Sequence, residues 1–211
     1  MNFFVYVATY WPRILDLTQQ HIELSLYAVG IALAIGVPLG ILCYVNRPVS
    51  VIVLNAVSVI YTIPTLALFG IMLPLIGIGF VPAIVAVVLY SLLPIVQNTF
   101  TGLSAVAPEV REAAVGVGMG PATRLWKVEL PLALPVIFAG IRVAVVNAVG
   151  MMTLASLIGA GGLGDLVFRG ISTLSWALVL SGSLPVLLLA VLADFGLRAI
   201  ELRLASRQGV A

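Results

Sequence analysis

Five long apolar stretches, each about the length a helix needs to cross a lipid bilayer, constrain this chain more than any other feature. They run from about Ile22 to Tyr44, Val51 to Leu75, Val81 to Phe100, Leu132 to Ile158 and Ala177 to Ile200. The hydrocarbon core of a bilayer is about 30 Å thick, so a crossing helix takes about 20 mostly apolar residues. Backbone groups in hydrocarbon must be satisfied internally, which leaves helices or closed barrels. Membrane strands are about ten residues long with strict alternation, and these runs are longer and do not alternate. Only 9% of the residues are charged and 62% are hydrophobic, against about a quarter charged in ordinary soluble domains. The expectation is an all-α integral membrane protein of about five transmembrane helices, with residues 1–211 forming a single domain.

An odd number of spans puts the termini on opposite sides of the membrane. One side then holds Arg47, Arg111, Arg124, Lys127, Arg198, Arg203 and Arg207, the other Arg13 and Arg169, and Arg142 falls within the fourth span. Loops rich in Lys and Arg stay in the cytoplasm, so the N-terminus is expected outside and the C-terminus inside. Trp11 and Trp176 then fall near the outer boundary, where amphipathic rings settle. Met1 to Pro12 lacks a basic region and a long apolar core, and does not read as a cleaved signal peptide. Pro38, Pro64, Pro94 and Pro185 lie within spans. They read either as kinks around a pathway or as ordinary membrane-helix prolines.

The most informative segment is the cytoplasmic loop, residues 104–131. Pro108 suits a first helical position, where its missing N–H costs nothing. Glu109 and Glu112 favour the positive end of the helix dipole. Val110, Ala113, Ala114 and Val117 fall at i, i+3, i+4 and i+7 and make a narrow apolar face. Gly118 and Gly120 are expected to end this helix, and Pro121 to open a second that carries Arg124, Leu125, Trp126 and Lys127 and stops at Pro131. The apolar face needs a partner, either the protein's own helices or the groove of a soluble subunit.

Glu112-Ala113-Ala114, three residues, Gly118, nine residues, then Val128-Glu129-Leu130-Pro131 resembles the EAA loop of ABC importer permeases, whose pattern ends Ile-x-Leu-Pro. Val128 is the one departure. The resemblance implies a type I importer core similar to that of methionine permeases, with the loop as the coupling helix that docks on an ATPase. Glu112 would make polar contacts, Ala113 and Ala114 would seat in the groove, Gly118 would allow the turn, and Leu130 and Pro131 complete the motif. It also implies a multi-pass protein of the bacterial cytoplasmic (inner) membrane, among membrane lipid. The implied partners are a cytoplasmic ATPase dimer holding ATP and Mg, a second permease copy or paralogue, and an extracytoplasmic substrate-binding protein. Ile63-Pro64-Thr65-Leu66-Ala67-Leu68, Tyr90 to Thr99, Val128 to Ala133 and Ile158 to Asp165 are similar to the osmoprotectant permeases, which import glycine betaine, carnitine or choline. Methionine and sulfonate permeases share the EAA loop and stay open as alternatives.

Other patterns mislead. Gly159-Ala160-Gly161-Gly162-Leu163-Gly164 matches G-x-G-x-x-G but follows a membrane span rather than a strand. Gly159, Gly161, Gly162 and Gly164 read instead as a tight turn or re-entrant segment at the outer face, with an outer gate as the functional reading. No phosphate-binding G-x-x-x-x-G-K-[ST] loop occurs, so ATP would be hydrolysed by a separate subunit and no cofactor is expected in this chain. His21, the single histidine, is expected at the membrane interface, and Cys43 reads as a small buried hydrophobe. No metal site, catalytic constellation or nucleic-acid signature is expected. Asn55, Ser58, Thr62, Gln97, Asn98, Asn147, Thr153 and Ser156 are polar groups inside spans, which tend to face protein or water. A trimethylammonium solute has no N–H donor and is attracted by aromatic faces. Tyr61, Phe69, Tyr90, Asn98 and Asn147 are therefore the pathway candidates. A passive channel is the rival from another class, and the coupling loop argues against it. Glu112→Lys reverses the charge of the proposed coupling helix and is expected to abolish co-purification of the ATPase; unchanged recovery of the ATPase would refute the docking role.

Overall fold

The computed structural model describes residues 2–206. Arg207, counted above with the basic residues of one side, lies outside them. The described residues are helical, joined by short turns: α1 (Phe3–Val45), α2 (Arg47–Thr62), α3 (Thr65–Ile76), α4 (Phe80–Ser104), α5 (Pro108–Gly116), α6 (Pro121–Arg124), α7 (Leu130–Ala155), α8 (Gly164–Ser172) and α9 (Trp176–Ser206). Helices α1, α4 and α9 are each long and apolar enough to span a bilayer, as is the continuous stretch from α6 through α7. Helices α2 and α3 make a fifth span only as a bent pair.

Three expectations about the helices need correction. Helix α1 starts at Phe3, not near Ile22. Its first half carries Arg13, Asp16, Gln19 and Gln20, which hides it from an average of hydropathy. Ile14, Leu17, His21, Leu24 and Ala28 are buried along one face nonetheless, at the spacing of an amphipathic helix. The second span is not straight, because α2 and α3 meet at 99°. Pro64 disfavours helical geometry at Ile63, and Ile63 is extended (φ −68, ψ 126). Finally, the second loop helix does not stop at Pro131. A π turn over Leu125–Glu129 carries it directly into α7, with Pro131 in the first turn, where a missing N–H is tolerated.

The interior forms around α4, which packs against α1 on one side and α7 on the other, with α9 beyond α7. Phe69, Tyr90, Ile95 and Met152 belong to the largest buried cluster. His21 is fully buried rather than interfacial, and its Nε2 donates to the Val149 carbonyl oxygen at 3.0 Å. Cys43 is buried against Val57, Leu92 and Val96. Arg142 pairs with α9, Nη1 at 3.5 Å from Asp194 and Nε at 3.3 Å from Glu201. Without a hydrophobic force between helices in lipid, close backbone approach through small residues holds such bundles together. At Gly140 of α7 an added Cβ would lie 2.5 Å from the Pro94 carbonyl oxygen and from the Asn98 Cβ of α4.

Gly140→Ala is expected to lower stability by about 1–3 kcal/mol, the usual cost of overpacking. Gly150→Ala, at a site with nothing within 4 Å, should be neutral or slightly stabilising. Thermal unfolding of the detergent-solubilised pair would check this; equal midpoints would remove the close-approach argument.

Candidate functional site

Three arrangements draw the functional residues together. The first is the loop at one end of the bundle. Helix α5 begins at Pro108 and ends in a Schellman turn: Gly118, at φ +83, donates to the Val115 carbonyl and Met119 donates to that of Ala114. Only Ala114 of its apolar face is buried against the protein; Glu112, Ala113, Val110 and Val117 stay exposed. The helix therefore offers Ala113 and the Glu112 carboxylate outward, while Ala114, expected to seat in a partner's groove, packs inward instead. Arg111 fastens it inward, with Nη2 donating to the last carbonyls of α4 at Leu103 (3.0 Å) and Ser104 (2.9 Å). A cation there also complements the C-terminal end of the α4 dipole. The Arg111 guanidinium carbon lies 5.6 Å from the Tyr44 ring centroid, at the end of α1. Leu130 packs against Leu103, Ala133 and Ile137 beneath the loop.

Glu129 joins these parts, and sequence reasoning missed it. Its carboxylate is 1% exposed and accepts from Arg124 Nε at 2.8 Å, with Arg111 Nε at 4.0 Å. One buried anion thus ties α5, α6 and the start of α7 into a single body. An acidic residue between Lys127 and Leu130-Pro131, with Arg111 and Arg124 earlier in the same loop, was the signal available in the sequence. The residue's place at the free position of the motif concealed it.

The second arrangement lies on the spans. The Tyr61 and Tyr90 rings are 5.4 Å apart at 47°, and Asn147 Nδ2 donates to the Tyr61 hydroxyl at 3.4 Å. This places α2, α4 and α7 around one point. Tyr61 is exposed, whereas Tyr90 is nearly buried behind it. Asn55, Ser58 and Thr62 continue along α2 as an exposed polar stripe, and Gln97, two turns beyond Tyr90 on α4, is exposed as well. The structure does not bring Phe69 or Asn98 to this surface. Phe69 is 1% exposed in the core, and Asn98 donates to the Pro94 carbonyl oxygen (2.8 Å) where α4 meets Gly140.

The third arrangement is the glycine turn at the end opposite the α5 loop. Gly159, Gly161 and Gly162 have φ of +82, +84 and +79, a region closed to most side chains. The Gly162 N–H donates to the Gln20 side-chain oxygen at 2.9 Å, and the Gly79 N–H donates to the Ile158 carbonyl at 2.8 Å. Gly164 presses on Thr153 and Ser156 and opens α8. Gln20 of α1 and the α3–α4 turn thus clamp the glycine segment from both sides.

A bent helical bundle with an outward-facing loop helix at one end and a polar, aromatic-edged stripe along its spans defines a membrane permease subunit. Its fold matches solved structures: the inward-facing MetNI methionine ABC transporter aligns with a TM-score of 0.80 and 23% identity over 90% of this chain and 95% of that one. Residues 36–206 match the family described as "Binding-protein-dependent transport system inner membrane component", and the chain belongs to that family as a multi-pass inner-membrane transport component. Among curated relatives, the osmoprotectant import permease protein OsmW of Salmonella typhimurium is 48% identical over 91% of this chain and 92% of its own. The choline transport system permease protein OpuBB of Bacillus subtilis is 41% identical over 94% and 92%.

Glu129→Gln removes the charge that holds two arginines, and removing one partner of a buried ion pair is strongly destabilising. Amide exchange across residues 108–130 is expected to accelerate at least tenfold while that of α4 stays slow. Unchanged protection of the loop would show that Glu129 does not hold it.

Proposed function

We propose that this chain forms the translocation pathway of an ATP-driven importer for a quaternary-ammonium osmoprotectant such as glycine betaine, carnitine or choline. The observation that carries the substrate class is the close relationship to OsmW and OpuBB over nine-tenths of the chain. The aromatic pair beside a polar stripe supports it, because a cation without N–H donors is held by ring faces rather than by hydrogen bonds. In this reading the loop end faces the cytoplasm and the glycine turn faces outside. Glu112 and Ala113 dock on a dimer of separate ATPase subunits, which hold ATP and Mg, while the buried Ala114 seats the helix against the permease itself. A second copy or a paralogue closes the pathway along the stripe of α2, since one bundle encloses little. An extracytoplasmic binding protein delivers the solute to the glycine-turn end. ATP binding draws the two coupling helices together and opens the outer side; hydrolysis resets it. The glycine segment, clamped by Gln20, serves as the outer gate.

Labelled glycine betaine uptake into proteoliposomes containing the permease, its ATPase and its binding protein tests this directly. ATP-dependent uptake competed by carnitine or choline, but not by methionine, is the expected result. ATP-driven transport of another solute would keep the importer and discard the substrate, and uptake without ATP would establish a passive channel. Tyr61→Ala is expected to slow uptake at least fivefold while Tyr61→Phe, which keeps the ring, retains most of it. Equal rates in the two variants would remove Tyr61 from the route.

A further inference from the structure

At the glycine-turn end, away from the polar stripe, a cavity of about 550 Å³ opens between the first turns of α1, the short helix α8 and the start of α9. Tyr6, Tyr10, Arg13, Asp165, Phe168 and Arg169 supply its aromatic and charged lining. Three features make it more than a surface dent. The Tyr6 and Tyr10 rings lie 4.7 Å apart at 34°, and α1 leaves helical geometry at Tyr10 itself (φ −111, ψ 19). That kink lies just before Pro12, which cannot donate to the preceding turn. Next, Asp165 and Arg169 stand one turn apart on α8, yet among the described residues neither they nor Arg13 form an ion pair within 4.0 Å. Partial burial raises the Asp165 carboxyl above its usual range, and the charge of Arg13 counters that rise. Lastly, the lining carries two guanidiniums against one carboxylate.

That balance selects a ligand. A bare cation meets a net positive lining. A simple anion makes no use of the rings or of Asp165. A molecule with a quaternary ammonium at one end and a carboxylate at the other satisfies all of them: ring faces attract the cation, and guanidinium donors take the carboxylate. We propose that this cavity binds a trimethylammonium zwitterion, its cationic head on Tyr6, Tyr10 and Phe168 beside Asp165 and its anionic group on Arg13 and Arg169. The proposal rests on the quaternary-ammonium reading above and adds a second station at the entrance, separate from the Tyr61–Tyr90 point. A phosphocholine lipid headgroup shares this chemistry with a free solute such as glycine betaine.

The test uses permease and ATPase assembled in phosphatidylglycerol nanodiscs without binding protein, titrated with glycine betaine and followed by saturation-transfer NMR of its N-methyl signal. Saturable binding is expected, weakened at least tenfold by Asp165→Asn and by Tyr6→Leu, two variants whose unchanged thermal midpoints would exclude misfolding. Choline, lacking the carboxylate, is expected to bind at least tenfold more weakly than betaine, and Arg169→Gln to narrow that gap. Betaine binding that persists when phosphatidylcholine replaces phosphatidylglycerol identifies the free solute as occupant. Binding lost on that replacement identifies the lipid headgroup. No saturable binding in phosphatidylglycerol, or binding indifferent to both Asp165 and Tyr6, overturns the proposal. If proteoliposomes import betaine normally while the cavity binds none, the cavity proposal alone fails. If they import no quaternary-ammonium solute, the substrate reading fails whatever the cavity binds.

Discussion

Inside hydrocarbon a backbone N–H or C=O without a partner costs several kcal/mol, and the architecture of this chain follows from where that rule is relaxed. The long helices satisfy it internally. Each irregular segment has its own remedy. At the α2–α3 break the Ile63 N–H bonds Ile60 and the Leu68 N–H bonds the Pro64 carbonyl, so the chain turns through 99° without stranding these groups. At the glycine turn the Gly162 N–H is taken by a side chain of α1, and the Ile158 carbonyl by the Gly79 N–H. The turn can be irregular only because α1 and the α3–α4 link lie against it. Flexible glycines supply the geometry, and neighbouring helices supply the hydrogen bonds.

Helix α1 thereby touches both functional ends. Gln20 holds the glycine turn and Tyr44 stands against Arg111 of the α5 loop, about 36 Å apart along the axis at ~1.5 Å per residue. Between them α1 packs closely on α4, where Gly36 and Gly40 bring the helices together over Ile95 and Thr99. Arg111 in turn bonds the last carbonyls of α4. A displacement of α5 therefore cannot stay local. It pulls on the end of α4 through Arg111 and on α7 through Glu129, and both helices carry the residues around Tyr61. Packed interfaces of this kind transmit movement as rigid bodies rather than by local deformation.

The spans were legible because a bilayer imposes one length and one composition on them, and the helix-starting Pro108 and helix-ending Gly118 were legible because local backbone chemistry places them. The first half of α1 was not legible. Its burial depends on neighbours at the glycine turn and on α9, and a hydropathy window sees only Arg13, Asp16 and Gln20. His21 was misplaced for the same reason: its partner, Val149, is 128 residues away. At the α5 loop the exposure of Glu112 and Ala113 could be read from the motif, but the burial of Ala114 could not. Glu129 could not, since its role is defined by two arginines that reach it only once α5, α6 and the π turn fold back together. The break at Pro64 was visible as a proline, but its angle depends on what α3 packs against.

The polar stripe on α2 is what favours a second bundle in the proposed assembly. Asn55, Ser58 and Thr62 are exposed, and the Thr62 hydroxyl satisfies itself on the Val59 carbonyl at 2.7 Å. The amide of Asn55 has no such local remedy among the described residues. Leaving it against acyl chains is costly, so such groups face protein or water. On the same helix Val51, Ile52 and Val59 are also exposed, and these resist a wholly aqueous setting. A face that is apolar on one flank and polar on the other suits the rim of a wet channel closed by a second bundle. Its apolar flank then packs against the neighbour and its polar flank looks into the lumen. In the proposed assembly the solute passes along that lumen past Tyr61 and Asn147, so the residues that would be most costly in lipid are the ones that define its route.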